Sequence, residues 1–133
     1  MSRSDKQGLI KVWNQAVRAL EKGDWESYQR FWAHTDYIQL IHSSEREWLR
    51  GWKTIGTEYR KWLRGKPALR VQVKEIDATI SQSKNTAWLT CKMHIATEGE
   101  NGEEVEFESW QTHIFEKRAG EWKLVHAHSS NLY

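Results

Sequence analysis

Apolar residues near the start of the chain recur at helical spacing. Leu9, Val12, Trp13, Ala16, Val17 and Leu20 fall on one stripe, and Lys22 with Gly23 ends it. Ser4 followed by Gln7 has the spacing of a capping box at the start of this helix. Asp24 suits the N-cap of a second, short helix with Trp25, Tyr28, Phe31 and Trp32 as its apolar positions, ending near His34. The run over 36–42 is rich in β-formers and predicts a strand, with a short return strand over 47–49. From Gly51 the helical period returns at Trp52, Ile55, Tyr59, Trp62 and Leu63, and Gly65 and Pro67 close this third helix.

Beyond Leu69 the period changes to two. Polar turns at 81–85, at Asn101-Gly102 and at 118–120 divide the rest into four long strands that follow one another as an antiparallel meander. In the first of them the apolar set Leu69, Val71, Val73 gives way to Ile76, Ala78, Ile80. The parity slips between Val73 and Ile76, which predicts a β-bulge and a bend. Helices first and bent strands afterwards predict a single α+β domain, residues 1–133, with the three helices on one side of an antiparallel sheet.

Composition narrows the function classes. Twenty Lys and Arg against 18 Asp and Glu leave a net charge of +2, too weak a field to argue for nucleic acid or an anionic membrane as partner. The first residues, MSRSDKQGLIKVW, lack the apolar run of a signal peptide, no stretch is long enough to span a bilayer, and the lone Cys91 fits a reducing compartment; a soluble, cytoplasmic protein is expected. Cys91 alternates with Leu89 and Met93 and reads as a small buried hydrophobe rather than a nucleophile. No Walker loop, dinucleotide fingerprint, HExxH or nucleophile elbow occurs, so no cofactor is expected. Nine tryptophans in 133 residues point instead to an aromatic core, interface or pocket.

Two segments carry a family resemblance. LIKVWNQAVRALEKGDWESYQRFWAHTDYIQLI has the helix, Gly-Asp corner, second helix and strand of SnoaL-like proteins of the nuclear-transport-factor-2-like superfamily, and HIFEKRAGEWKLVHAHSS resembles their closing hairpin. Nearly the whole chain also resembles the association domain of calcium/calmodulin-dependent kinase II. The resemblance implies a cone-shaped α+β domain with three helices packed in the concavity of a strongly curved antiparallel sheet, but the superfamily holds isomerases, cyclases, dehydratases, transport adaptors and assembly hubs, so fold alone does not give function.

Turn chemistry sets which residues share a face. A two-residue Asn101-Gly102 loop would pair Glu100 with Glu103, placing His94 opposite Ser109, Lys92 opposite Gln111 and Thr90 opposite His113. At the next hairpin, a two-residue Ala119-Gly120 turn would put His126 and His128 beside His113, whereas a three-residue loop ending in Gly120 would put Val125, Ala127 and Ser129 there. The three-residue loop is preferred, because its last position demands glycine and the resemblance agrees. On that register His94, Gln111, His113 and Ser129 lie on the concave face under Trp13, Tyr59 and Trp62, a mixture suited to a small, partly apolar ligand. Met93, Trp110, Thr112, Leu124, His126 and His128, with Cys91, fall on the convex face, through which relatives commonly dimerise. His126 and His128 have a spacing that could hold a metal, but nothing completes the set and no metal is expected.

The resemblance also tests chemistry. Positions matching His94, His113 and Ser129 hold pocket arginines in the kinase hub, so this chain has exchanged permanent charge for hydrogen-bonding groups. The carboxylate base and oxyanion tyrosine of ketosteroid isomerases fall near Leu40 and Ala16, where neither group exists. Three readings follow: a homodimer that binds a small molecule; an enzyme of isomerase, dehydratase or hydrolase type with His113 or His94 as general base; or a hub-like oligomerisation module.

Overall fold

A computed structural model describes residues 3–42, 48–64, 69–99 and 101–132. Helix α1 (Arg3–Lys22) runs along one side of the sheet and buries Leu9, Trp13, Ala16 and Val17, the predicted stripe. It begins before Ser4, which therefore stands in its first turn and not at its cap; that side chain lies outside the described residues. Gly23, at φ +65°, turns the chain into α2 (Trp25–Tyr28). Asp24 caps α2 as expected, one carboxylate oxygen accepting from the Ser27 backbone N–H and the other from the Ser27 hydroxyl. A single 3-10 turn (Gln29–Phe31) ends this short element earlier than the predicted His34.

Strands β1 (Gln39–Ile41) and β2 (Leu49–Arg50) pair antiparallel, and α3 (Trp52–Leu63) follows. Gly51, at φ +85°, makes the corner into α3 and donates its N–H to the Ile38 carbonyl, a conformation strained for any other residue. The expected stop at Gly65 and Pro67, and the Glu47 end of the return strand, lie outside the described residues. Strands β3 (Arg70–Ile80), β4 (Thr86–Glu98), β5 (Glu104–Arg118) and β6 (Glu121–Asn131) are the four long strands of the meander.

The six strands form one curved, unclosed sheet in the order β2-β1-β6-β5-β4-β3. All neighbours are antiparallel except β1 and β6, which run parallel, and α3 carries the chain from β2 at one edge of the sheet to β3 at the other. The bulge predicted in β3 is present between Lys74 and Asp77, with Glu75 at φ 45°. One face of the sheet and the facing stripes of the helices form a core that includes Trp13, Trp32, Ile55, Leu89, Phe115 and Leu124, all at most 2% exposed. Burying each such side chain contributes about 1.5–3 kcal/mol, which holds the helices against the concave side.

Both hairpin loops differ from expectation, in opposite directions. Gly99 pairs with Glu103, its N–H bonding the Glu103 carbonyl at 2.7 Å, and Gly102 at φ +82° donates to the Gly99 carbonyl, so this connection is one residue longer than the predicted Asn101-Gly102 turn. At the other hairpin Arg118 pairs with Glu121 around a two-residue turn in which Ala119 and Gly120 both have positive φ, the signature of a type I′ turn.

The first change moves β4 by one residue against β5, and a one-residue slip turns every side chain to the other face. Met93 now lies opposite Ser109, Cys91 opposite Gln111 and Leu89 opposite His113, while His94 pairs with Glu108. The second change is cancelled within β6. The ladder shifts between Ile114 and Phe115, leaving Val125 as an extra residue, and from there His113 faces Ala127 and Gln111 faces Ser129. The turn was misassigned, yet its predicted consequence stands.

Candidate functional site

The concave face and the helices enclose a cavity of about 730 Å³, within the usual range for small-molecule sites. Of the seven residues expected to line it, the structure brings six together: Trp13 from α1, Tyr59 and Trp62 from α3, Gln111 and His113 from β5, and Ser129 from β6. His94 is the exception. The register places it on the convex face, where Nε2 lies 3.0 Å from Glu106 and Nδ1 3.5 Å from Glu108. Met93 takes the cavity position that His94 was expected to hold.

Polar groups converge along β5. Because residues two apart share a face, Ser109, Gln111 and His113 form a row, and they are linked: His113 Nε2 lies 3.0 Å from the Gln111 side-chain oxygen, and Gln111 donates through its amide nitrogen to Ser109 Oγ at 3.1 Å. Ser109 is 1% exposed and His113 5%. Trp13 packs on the imidazole face with ring centroids 3.9 Å apart and planes tilted by 36°. Burial, reinforced by nearby His126, pushes the His113 pKa down to about 3, so the ring is neutral at physiological pH. Its Nδ1 has no hydrogen-bond partner.

A second polar feature is aromatic. The Tyr28 oxygen accepts from Trp32 Nε1 at 3.0 Å, the Tyr59 ring packs against Tyr28 with centroids 4.9 Å apart, and both phenols line the cavity. Desolvation raises Tyr28 to about 12 and Tyr59 well above the usual tyrosine range, so neither ionises. Tyr59 in turn meets Trp62 edge-on at 5.0 Å, and Trp62 packs against His42.

Sequence reasoning missed several lining groups. Tyr28 was read only as a helix-packing residue, and Phe107 was not assigned. Glu21 supplies a carboxylate to the cavity wall, where none was expected; one oxygen accepts from the Val71 backbone N–H at 2.9 Å. Its position just before the Lys22-Gly23 helix end was the available signal. Leu40 also lines the cavity and Ala16 is buried, so the places matched to an isomerase base and oxyanion donor hold aliphatic side chains.

The residues expected at a convex contact divide. Met93 and Leu124 are 2% and 0% exposed on the inner face, so both are core residues and that placement is corrected. Trp110, Thr112 and His126 are on the outer face, as the pairing of Trp110 with Ser130 and Ile114 with His126 requires; His128 shares that strand parity but also borders the cavity. Trp110 is 40% exposed, with the Lys92 ammonium 5.0 Å from its ring, and His126 Nδ1 meets the Gln39 side-chain oxygen at 3.2 Å. Cys91 is fully buried inside, its thiol pushed up to about 11 by desolvation, which makes it a packing residue.

The family model for SnoaL-like domains matches residues 10–133. The chain belongs to the SnoaL-like family. No curated protein matches its sequence. Among solved structures, a candidate dehydratase of the NTF2-like family from Streptomyces avermitilis aligns with a TM-score of 0.88 at 18% identity, over 99% of each chain. An NTF2-like superfamily protein from Salmonella enterica aligns at 0.84 and 18% identity, over 96% of this chain and 91% of that one. The association domain of the C. elegans kinase CaMKII aligns at 0.74 and 18%, over 93% of each. At such identities the likeness is one of fold. Within this SnoaL-like cone, no helix among the described residues is long and apolar enough to cross a membrane, and no cluster of three metal-binding side chains occurs among them.

Proposed function

We propose that this SnoaL-like domain binds a small, partly apolar molecule in the cavity between α1, α3 and the concave sheet face. The observation that carries the reading is the coincidence of a roughly 730 Å³ aromatic-walled space with an unpartnered, buried imidazole nitrogen in its wall. A buried polar atom without a partner costs free energy, and a ligand that satisfies it recovers that cost. The test is native mass spectrometry on protein purified without denaturation, before and after organic extraction. A bound small molecule that is lost from a folded Trp62→Ala variant supports the reading; a cavity that neither retains nor takes up any apolar compound overturns it.

The domain acts, in this reading, as a cytoplasmic homodimer. The outer face offers Trp88 and Trp110, 43% and 40% exposed, beside Ile114, His126 and His128. Such an aromatic face with polar groups at its edges has the composition of an interface. Light scattering on wild type and Trp110→Glu tests it. A mass of two chains that falls to one in the variant supports the dimer, and a much larger wild-type mass supports the hub-like alternative raised by the kinase association domain.

The enzyme reading has one supporting observation, the placement of His113 and Glu21 on one cavity. His113 is too weak a base in its buried site to favour proton abstraction at neutral pH, so binding is the better supported function.

A further inference from the structure

We propose that the cavity selects an uncharged, ring-bearing molecule with a hydroxyl group, which donates its proton to His113 Nδ1. The inference rests on the reading of the cavity as a binding site and adds the polarity and charge of what it takes.

The polarity follows from the row on β5. Gln111 gives its amide N–H to Ser109 Oγ, so its side-chain oxygen is the atom that faces His113. That oxygen only accepts, which fixes the proton of the neutral imidazole on Nε2. Nδ1 is left as a lone pair, buried and without a partner. Trp13 covers the face of the ring with centroids 3.9 Å apart, and His113 is part of the cavity wall. An alcohol or phenol supplies the matching donor. A ketone or ether oxygen supplies none and leaves two acceptors facing each other.

The charge follows from the surroundings. His113 is neighboured on its own strand face by Gln111 and Phe115, across the ladders by Leu89 and Ala127, and from above by Trp13. All are uncharged. Among the described residues no arginine lines the cavity; Lys22 and Glu21 do, both at the C-terminal end of α1, with Lys22 exposed and Glu21 bonded to the Val71 N–H, and so do His42, packed on Trp62, and His128 on the neighbouring strand β6. A carboxylate group brought against His113 would therefore be buried with no cation to meet it and an acceptor lone pair opposing it. The walls formed by Tyr59, Trp62, Met93 and Phe107 suit a flat ring body.

Three two-ring probes separate the alternatives: 2-naphthol donates, 2-methoxynaphthalene only accepts, and 2-naphthoate is an anion. Isothermal titration calorimetry at neutral pH is expected to show 2-naphthol binding about tenfold tighter than the ether and the carboxylate binding weakest. His113→Phe is expected to melt as wild type and to bind naphthol and ether equally. Long-range proton–nitrogen NMR on the unmutated protein reads the same contact without a substitution: an unprotonated Nδ1 whose resonance shifts with naphthol and not with the ether supports the proposal. A proton found on Nδ1, or an ether that binds as tightly as naphthol, overturns the hydroxyl assignment. A carboxylate that binds tightest overturns the neutral class. Saturable binding of none of the three removes the cavity reading itself, and the proposal with it.

Discussion

His94 and His113 stand on neighbouring strands of one sheet, and the structure puts them in opposite environments. His94 lies on the outer face among Glu106, Glu108 and Lys74, each within reach of solvent; the Lys74 ammonium, 3.0 Å from Glu108, is the main cause that holds the Glu108 carboxyl below its usual range. His113 lies on the inner face, where only uncharged groups touch it and only one of its nitrogens is bonded. The outer histidine belongs to a solvated ion network whose members exchange partners easily, and such networks add little stability. The inner one is held in one tautomer by a row of buried amide and hydroxyl groups, and that fixed direction is what gives a pocket specificity.

The largest expected effect breaks the register that separates the two. Met93 immediately precedes His94 but points inward at 2% exposure. Met93→Glu buries a carboxylate among Val73, Ser109 and the cavity wall and is expected to cost about 3–5 kcal/mol, enough to unfold much of the population. Urea denaturation checks it. A Met93→Glu protein that unfolds at the wild-type midpoint would place Met93 on the solvated face and reverse the assignment of both histidines.

The general architecture was legible because it depends on periodicity. The α1 stripe, the Asp24 cap, the α3 stripe and the parity slip in β3 each rest on residues close in sequence. The register depends on loop geometry one residue at a time. Asn101-Gly102 and Ala119-Gly120 each contain the glycine that two-residue and three-residue loops both accept, and the two lengths are exchanged relative to the expectation. That exchange carried His94 into the pocket and Met93 out of it. The Val125 bulge was hidden for a different reason: an apolar residue is at home on either face of β6, so the slip from Leu124 to Ala127 leaves no polar residue out of place. Six of the seven pocket residues survived because five come from α1, α3 and β5, and the sixth, Ser129, was restored by the bulge.

A second test sharpens the contrast through pH. The His113 pKa is about 3 in the folded protein against an ordinary 6.5, so the unfolded chain takes up a proton that the native state refuses. Above pH 6.5 both states are neutral at this residue and it adds no pH dependence. As pH falls from 6.5 toward 3, stability drops by up to about 1.4 kcal/mol per unit. His126, also lowered by burial, adds to the same slope. His113→Phe removes the larger share. Thermal melts of wild type and variant, alike at pH 7, are expected to separate as the pH falls to 4.5, the wild type losing more stability, and parallel curves would show that His113 is not held neutral.

The smallest effect concerns the outer histidine. His94 contacts two carboxylates, but Glu106 is 56% exposed and the same Glu108 oxygen already accepts from Lys74 at 3.0 Å. Removing His94 therefore leaves no buried charge alone, since Lys74 still neutralises Glu108 and water still solvates Glu106. His94→Gln keeps a hydrogen-bonding group at the site and is expected to change stability by less than about 0.5 kcal/mol at neutral pH. It is also expected to leave 2-naphthol affinity unchanged, because the cavity lies across the sheet from it. Calorimetric titration and denaturation on the same His94→Gln preparation decide the matter. A loss of probe affinity with an unchanged unfolding midpoint would mean that His94 reaches the cavity after all, and the division between a solvated outer histidine and a directed inner one would fall.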